Sequence, residues 1–161
     1  MIDTVYLTDL PIRHEASIEA SYLDEMGHMN VMWYTHLFDE ATWTFFASLG
    51  MDLNYFNGDL AGAFALEQHT RYLVELRQGQ TVQIRTRSLD RSEKRFHFMH
   101  FMVVQESGRL AATTELIGIH VDRQTRRSSP LPDQIAAAFD SAISEHSQLS
   151  WDPPVCGFMK P

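Results

Sequence analysis

Tyr22-Leu23-Asp24-Glu25-Met26-Gly27-His28-Met29-Asn30 runs directly into Val31-Met32-Trp33-Tyr34-Thr35-His36-Leu37-Phe38, and at that junction a polar turn gives way to a long helix. Asn30 stands where an N-cap belongs, because its side-chain oxygen can accept one of the orphan N–H groups of a first helical turn. Beyond it Val31, Tyr34, Phe38, Ala41, Phe45 and Leu49 recur every three or four residues, which marks one helical face. Trp33, Leu37, Trp43 and Phe46 fall on other faces, so a helix over Val31–Leu49 is expected to be buried on most sides. Gly50 sits at the C′ position. A carboxylate (Asp24), a glycine (Gly27) and an imidazole (His28) therefore crowd the positive end of an apolar helix.

Before the turn, Glu15 to Tyr22 alternates polar and apolar and reads as a strand, preceded by an extended lead-in over residues 1–13. Asp52 to Gly62, rich in Asn, Gly and Asp, reads as a loop. Ala63–Leu76 is expected to be a strand that ends in a turn over Arg77–Gln80. Thr81–Arg87, Arg95–Gln105 and Leu110–Asp122 follow as three more, with the turn Asp90–Lys94 and the hairpin Glu106–Arg109 between them. After a polar loop over Arg123–Pro132, Ile135, Ala138, Phe139, Ala142 and Ile143 take helical spacing over Asp133–His146. The tail after Ser147, with Pro153 and Pro154, is expected to lie along the surface. One strand, one long helix and then four meander-like strands segregate helix from sheet. This indicates an α+β domain in which an antiparallel sheet wraps one buried helix.

The chain has 161 residues, 44% hydrophobic and 21% charged, the balance of one globular domain with a substantial core. A net charge of −8 argues against nucleic acid as a partner. The single Cys156 cannot form an internal disulfide. No signal-peptide pattern opens the chain and no apolar run is long enough to span a bilayer. Cytoplasmic, without a membrane partner, is the expected location. His97 and His100 lie three apart in a strand and face opposite sides, and no His/Cys cluster has metal spacing, so neither a metal nor another cofactor is expected.

The run Asp24-Glu25-Met26-Gly27-His28-Met29-Asn30, with Tyr34 four residues on, resembles the D-x-x-G-H-x-N-x-x-x-Y pattern of hotdog-fold acyl-CoA thioesterases of the 4-hydroxybenzoyl-CoA thioesterase type. The likeness extends over roughly residues 14–145. It implies a hotdog fold, an acyl-CoA substrate and hydrolysis to free acid and CoA. It also implies a homodimer or homotetramer with the active site across the subunit interface. By the resemblance, Asp24 is the catalytic carboxylate, as nucleophile or as base for water, and the Val31 backbone N–H holds the thioester carbonyl. Gly27, His28, Asn30 and Tyr34 would line the substrate site. This version of the motif is also similar to thioesterases associated with carnitine and betaine metabolism.

The physics of the junction agrees with that assignment. Free N–H groups and the helix dipole favour an oxyanion at a helix N-terminus. A thioester is already activated, so one carboxylate and one oxyanion donor suffice, and no G-x-S-x-G elbow is present. Each residue also has a structural reading. Asp24 could brace the corner, Gly27 could serve backbone geometry, His28 could order the loop and Asn30 could be only a cap. Asp39 and Glu40 are alternative carboxylates two turns into the helix. Trp33, Tyr34, Trp43, Phe45 and Phe46 read first as core, although aromatics there would suit a quaternary ammonium. Two loop clusters, Arg91/Lys94/Arg95 and Arg123/Arg126/Arg127, could hold CoA phosphates. The competing functions are a hotdog dehydratase and a non-catalytic acyl-CoA binder; the dehydratase motifs are absent and Asp24 argues against the binder.

Overall fold

A computed structural model describes residues 4–58 and 60–161. After a 3-10 turn at Thr4–Asp9 come β1 (Ile12–Ser17), a 3-10 turn at Ala20–Tyr22, α1 (Val31–Ser48) and α2 (Leu53–Asn57). Then follow β2 (Ala61–Tyr72), β3 (Thr81–Arg91), β4 (Arg95–Val104), β5 (Leu110–Asp122), β6 (Arg127–Ser128) and α3 (Asp133–Ser147). The antiparallel sheet has the order β1-β3-β4-β5-β2, with β6 added to the end of β5. This is the hotdog fold, with α1 as the sausage and the sheet curled against it.

α1 starts and stops where local chemistry dictates. The Asn30 side chain accepts the Met32 N–H at 3.0 Å. At the other end Gly50 has φ 89°, and the N–H groups of Gly50 and Met51 return to the carbonyls of Ala47 and Phe46. That pair of bonds is a Schellman motif, which needs a left-handed residue at C′. Tyr34, Leu37, Phe38 and Ala41 bury against Val82, Ile84, Met102 and Val104 of the sheet. Farther along, Phe45 and Phe46 meet Phe96, Phe98 and Phe139 of α3.

β4 is buried on both faces. Its even-numbered residues pack toward α1, whereas Met99 and Phe101 face a second layer made of Leu7, Leu10, Leu149 and Trp151. The His pair behaves as the strand period requires. His100 bonds Thr86 at 2.7 Å and Thr42 of α1 at 2.9 Å, while His97 on the other face bonds Glu115 at 2.9 Å.

Several expectations are corrected. α1 is buried along one face only: Val31 (58%), Met32 (61%) and Trp43 (44%) are exposed, because the sheet curls over one side of the helix. The first strand is Ile12–Ser17 rather than Glu15–Tyr22; pairing with β3 ends there and Tyr22 turns back on Glu19. Tyr22 stacks instead on Trp33, with ring centroids 4.0 Å apart. The four later strands are not a simple meander. β3, β4 and β5 form consecutive hairpins, but β2 crosses to pair with β5, because β1 already occupies the free edge of β3. β2 begins at Ala61 and leaves the ladder after Tyr72, where the N–H groups of Leu73 and Val74 share the Ala111 carbonyl. The Asp52–Gly62 segment contains α2, capped by Asp52 on the Tyr55 N–H at 2.9 Å. The tail lies along the surface as expected, over the outer sheet face, where Trp151 meets Phe101 edge-on and lies under the Arg87 guanidinium. Among the described residues no helix is long and apolar enough to cross a membrane.

Candidate active site

The turn before α1 is held by its own backbone. Leu23 and Met29 form a bridge, the Asp24 N–H donates to the His28 carbonyl at 3.0 Å, and the Gly27 N–H returns to the Asp24 carbonyl at 3.0 Å. Gly27 has φ 82°, a conformation that costs other residues a Cβ clash. The base of the turn is tied down by Met29 N–H to Leu76 O (2.7 Å) and Asn30 N–H to Tyr22 O (2.9 Å). Asp24 is thus folded back against the residues that open α1.

Asp24 Oδ1 accepts the Met26 N–H at 2.9 Å, an Asx turn, and Oδ2 lies 3.5 Å from His28 Nδ1. Both side chains are partly open to solvent, 26% for Asp24 and 29% for His28. At the helix start the Asn30 side chain takes the Met32 N–H, and the Trp33 N–H closes on the Asn30 carbonyl at 3.0 Å. Capping therefore leaves the Val31 N–H as the first donor of the helix without an acceptor among the described residues. Asp24, Gly27, His28, Asn30 and Val31 form one constellation. Tyr34 has a different place: it is 4% exposed, its hydroxyl donates to the Val74 carbonyl at 3.3 Å, and its ring meets Tyr72 edge-on. Burial pushes its hydroxyl pKa up to about 12, so it stays protonated.

A cavity of about 540 Å³ opens along α1 from Thr35 to Phe46, between the helix and strands β2, β4 and β5. Its wall carries Phe38, Asp39, Trp43, Phe46, Phe56 and Phe98. Trp43 Nε1 donates to Asp39 Oδ2 at 3.2 Å, and the Trp43 ring meets Phe56 edge-on at 5.4 Å. Of the five aromatics first read as core, Trp43 and Phe46 line this cavity; Trp33, Tyr34 and Phe45 do not. The cavity wall itself could not be read beforehand, because Ala63 and Leu116 come to it only through the crossing of β2 to β5.

The loop cations divide as well. Arg91 is engaged by Asp140 of α3, with Nε to Oδ1 at 2.6 Å, and that carboxylate raises the Arg91 pKa. Arg123 and Arg126 border the cavity, and Arg123 Nη1 donates to the Phe56 carbonyl at 2.7 Å.

Residues 18–139 match the family described as Thioesterase-like superfamily. Among curated proteins, the betainyl-CoA thioesterase of Pseudomonas aeruginosa is 30% identical over 138 residues, 84% of this chain and 86% of that protein. The L-carnitine dehydrogenase/betainyl-CoA thioesterase of Agrobacterium fabrum is 32% identical over 135 residues, 82% of this chain. The matched part is only 27% of that longer protein. A solved Staphylococcus aureus hypothetical protein in complex with CoA superposes with a TM-score of 0.83 at 24% identity, covering 94% of this chain and 96% of that one. With a family match over most of its length, the chain belongs to the thioesterase-like hotdog superfamily.

Proposed function

We propose that this thioesterase-superfamily chain hydrolyses a small acyl-CoA to the free acid and CoA, with Asp24 as the working carboxylate and the Val31 N–H as oxyanion donor. The observation that carries the reading is the turn itself, which brings one carboxylate and one unclaimed helix N-terminal N–H to the same end of α1. Acting as base, Asp24 takes a proton from water as the water oxygen attacks the thioester carbon. The C–S bond then breaks and the CoA sulfur leaves as thiolate. Acting as nucleophile, Asp24 forms an anhydride that water opens. In either route negative charge grows on the carbonyl oxygen, where the helix N-terminus stabilises it. His28, beside Asp24, orders the turn and borders the carbonyl, and Gly27 leaves room for substrate. Asn30 acts through the helix start, and Tyr34 shapes the wall behind it.

The turn opens α1, whereas the cavity runs along the helix from Thr35 to Phe46, with its acid Asp39 near the middle. Val31 and Asp39 are separated by eight helical steps, roughly 12 Å at 1.5 Å per residue. A short acyl group cannot bridge that span within one chain. Two copies resolve it. β2 is a sheet edge that exposes Phe64 (55%), Leu66 (46%) and Tyr72 (49%), an apolar edge that invites pairing. β2 starts beside the later half of α1, where Ala63 packs with Phe46, and ends near its beginning, where Tyr72 meets Tyr34. Antiparallel β2–β2 pairing therefore carries one copy's Asp24 turn toward the other copy's cavity.

The cavity suits a cationic acyl group: several aromatic faces and two carboxylates, Asp39 beside Trp43 and Asp122 farther along, fit a quaternary ammonium. Together with the two relatives named for betainyl-CoA, this supports betainyl-CoA as the substrate. Arg123 and Arg126 stand at the rim as candidate contacts for CoA phosphates. The reading is tested by thiol release over a panel of acyl-CoAs, with light scattering on the same sample. It expects a dimer or tetramer that turns over betainyl-CoA best. An active monomer would remove the shared site, and a preference for long-chain or aromatic acyl-CoAs would remove betaine.

A further inference from the structure

The outer face of the sheet carries a second cluster of reactive side chains, remote in purpose from the thioester site. His69 on β2 and Glu115 on β5 are register partners, so their side chains leave the sheet side by side. Glu115 is also paired with Met99, which faces the outer layer, so the cluster lies on the side of the sheet away from α1. The C-terminal tail then lays Cys156 over both. The imidazole, carboxylate and thiol donor atoms of His69, Glu115 and Cys156 all lie within 4.8 Å of one another.

We propose that His69, Glu115 and Cys156 form a binding site for a divalent transition metal, Zn²⁺ foremost, that fastens the C-terminal tail to the β2–β5 pair. The donor set is one thiolate, one imidazole and one carboxylate. A thiolate selects against Mg²⁺ and Ca²⁺, and this mixture is common for zinc. Tetrahedral zinc with bonds of about 2.0–2.3 Å places its donors roughly 3.3–3.7 Å apart. The cluster needs to contract by at most about 1.5 Å to reach that geometry, a movement that the exposed side chain of His69 can make.

Three further features favour a built site. Glu115 is already oriented: Oε1 is bonded by His97 Nε2 at 2.9 Å and Oε2 accepts the Cys156 N–H at 2.6 Å. Hydrogen-bonded carboxylate ligands of this kind are the usual outer support of metal sites. Each of its oxygens still has a second lone pair for a cation. Cys156 is held between two anchors, since the Trp151 carbonyl accepts from Arg87 at 2.6 Å and Met159 is 7% exposed. Finally, Glu115 is wholly buried and its ion-pair partner is a histidine. A buried carboxylate is costly without a firm positive charge, and a dication would supply one. His69 and Cys156 border a shallow groove together with Gln68 and Phe158, which leaves room for a water as fourth ligand.

The test uses the full chain, freed of metal with chelator, and titrated with Co²⁺ and then Zn²⁺ alone. The expected result is one equivalent of Co²⁺ with a thiolate-to-cobalt charge-transfer band, displaced stoichiometrically by Zn²⁺. Zn²⁺ should also raise the melting temperature of the wild type. Cys156→Ser should abolish the band and the thermal shift. His69→Gln should keep the band but weaken the Kd by at least tenfold, on the order of what lost metal partners cost. Absence of saturable one-to-one uptake overturns the proposal. So does uptake that survives unweakened in either variant, which would mark an adventitious ion. Because the readouts are spectral and thermal, the result is independent of whether Asp24 hydrolyses a thioester.

Discussion

The aromatic wall of the cavity makes a quantitative claim about charge. Betainyl-CoA and 3,3-dimethylbutanoyl-CoA have the same shape at the acyl terminus, but only the first is cationic there. A cation over the Trp43 face should gain about 0.5–2 kcal/mol. Asp39, exposed and held by Trp43 Nε1 at 3.2 Å, should add about 1 kcal/mol at roughly 5 Å in a solvent-like dielectric. Together these give a preference of about 10- to 150-fold in kcat/KM for the cationic substrate. Trp43→Leu removes the ring and frees Asp39, so it should shrink that preference by about 3- to 30-fold. The rate on the neutral isostere should stay within a few fold. Trp43 is 44% exposed, so the fold should tolerate the change. The assay is thiol release with both substrates on both proteins. Equal wild-type kcat/KM for the two substrates would refute the reasoning, as would a variant that slows both by the same factor.

Two other substitutions probe the frame around the site. Asn30→Ala removes the cap on the Met32 N–H, a loss of about 1 kcal/mol that should lower the melting temperature by about 2–4 °C and change turnover only modestly. An unchanged melting temperature with abolished activity would instead make Asn30 a substrate contact. Burial lowers the His100 pKa to about 3, so the folded protein keeps this imidazole neutral while the unfolded chain protonates it below about 6.5. Its contribution to stability is full above that value and is lost as pH falls, by about 2 kcal/mol at pH 5. Melting curves should therefore drop from pH 7.5 to pH 5 and drop less in His100→Gln; an equal drop would exclude His100 as the source.

Local chemistry made the helix and the hairpins legible. Asn30 and Gly50 bracket α1 with side-chain and left-handed caps, and strict alternation over Thr81–Arg87 marks β3. The turn from Asp24 to Asn30 was equally legible, because its bonds are nearly all between near neighbours. The crossing of β2 was not. Pairing Ala61–Tyr72 with Ala112–Asp122 is a long-range choice set by which sheet edge is free, and residue periodicity is silent on it. The cavity wall and the meeting of His69, Glu115 and Cys156 inherit that blindness, since each depends on β2 lying beside β5. The exposed side of α1 was misread for a related reason: apolar residues such as Val31, Met32 and Trp43 look like core in the sequence, but the chain's own sheet does not reach them.

The central claim is that Asp24 performs chemistry rather than merely bracing a corner, and Asp24→Asn tests it most directly. The amide oxygen can still accept the Met26 N–H, so the Asx turn and the melting temperature should survive. The amide can neither attack a thioester nor take a proton from water. Measured side by side, thiol release should fall on the order of a hundredfold or more, while the Kd of a non-hydrolysable acyl-CoA analogue moves little. Near-wild-type turnover in Asp24→Asn would contradict the account and turn attention to Asp39 and Glu40. Parallel losses of binding and melting temperature would contradict it too, and leave Asp24 a corner residue.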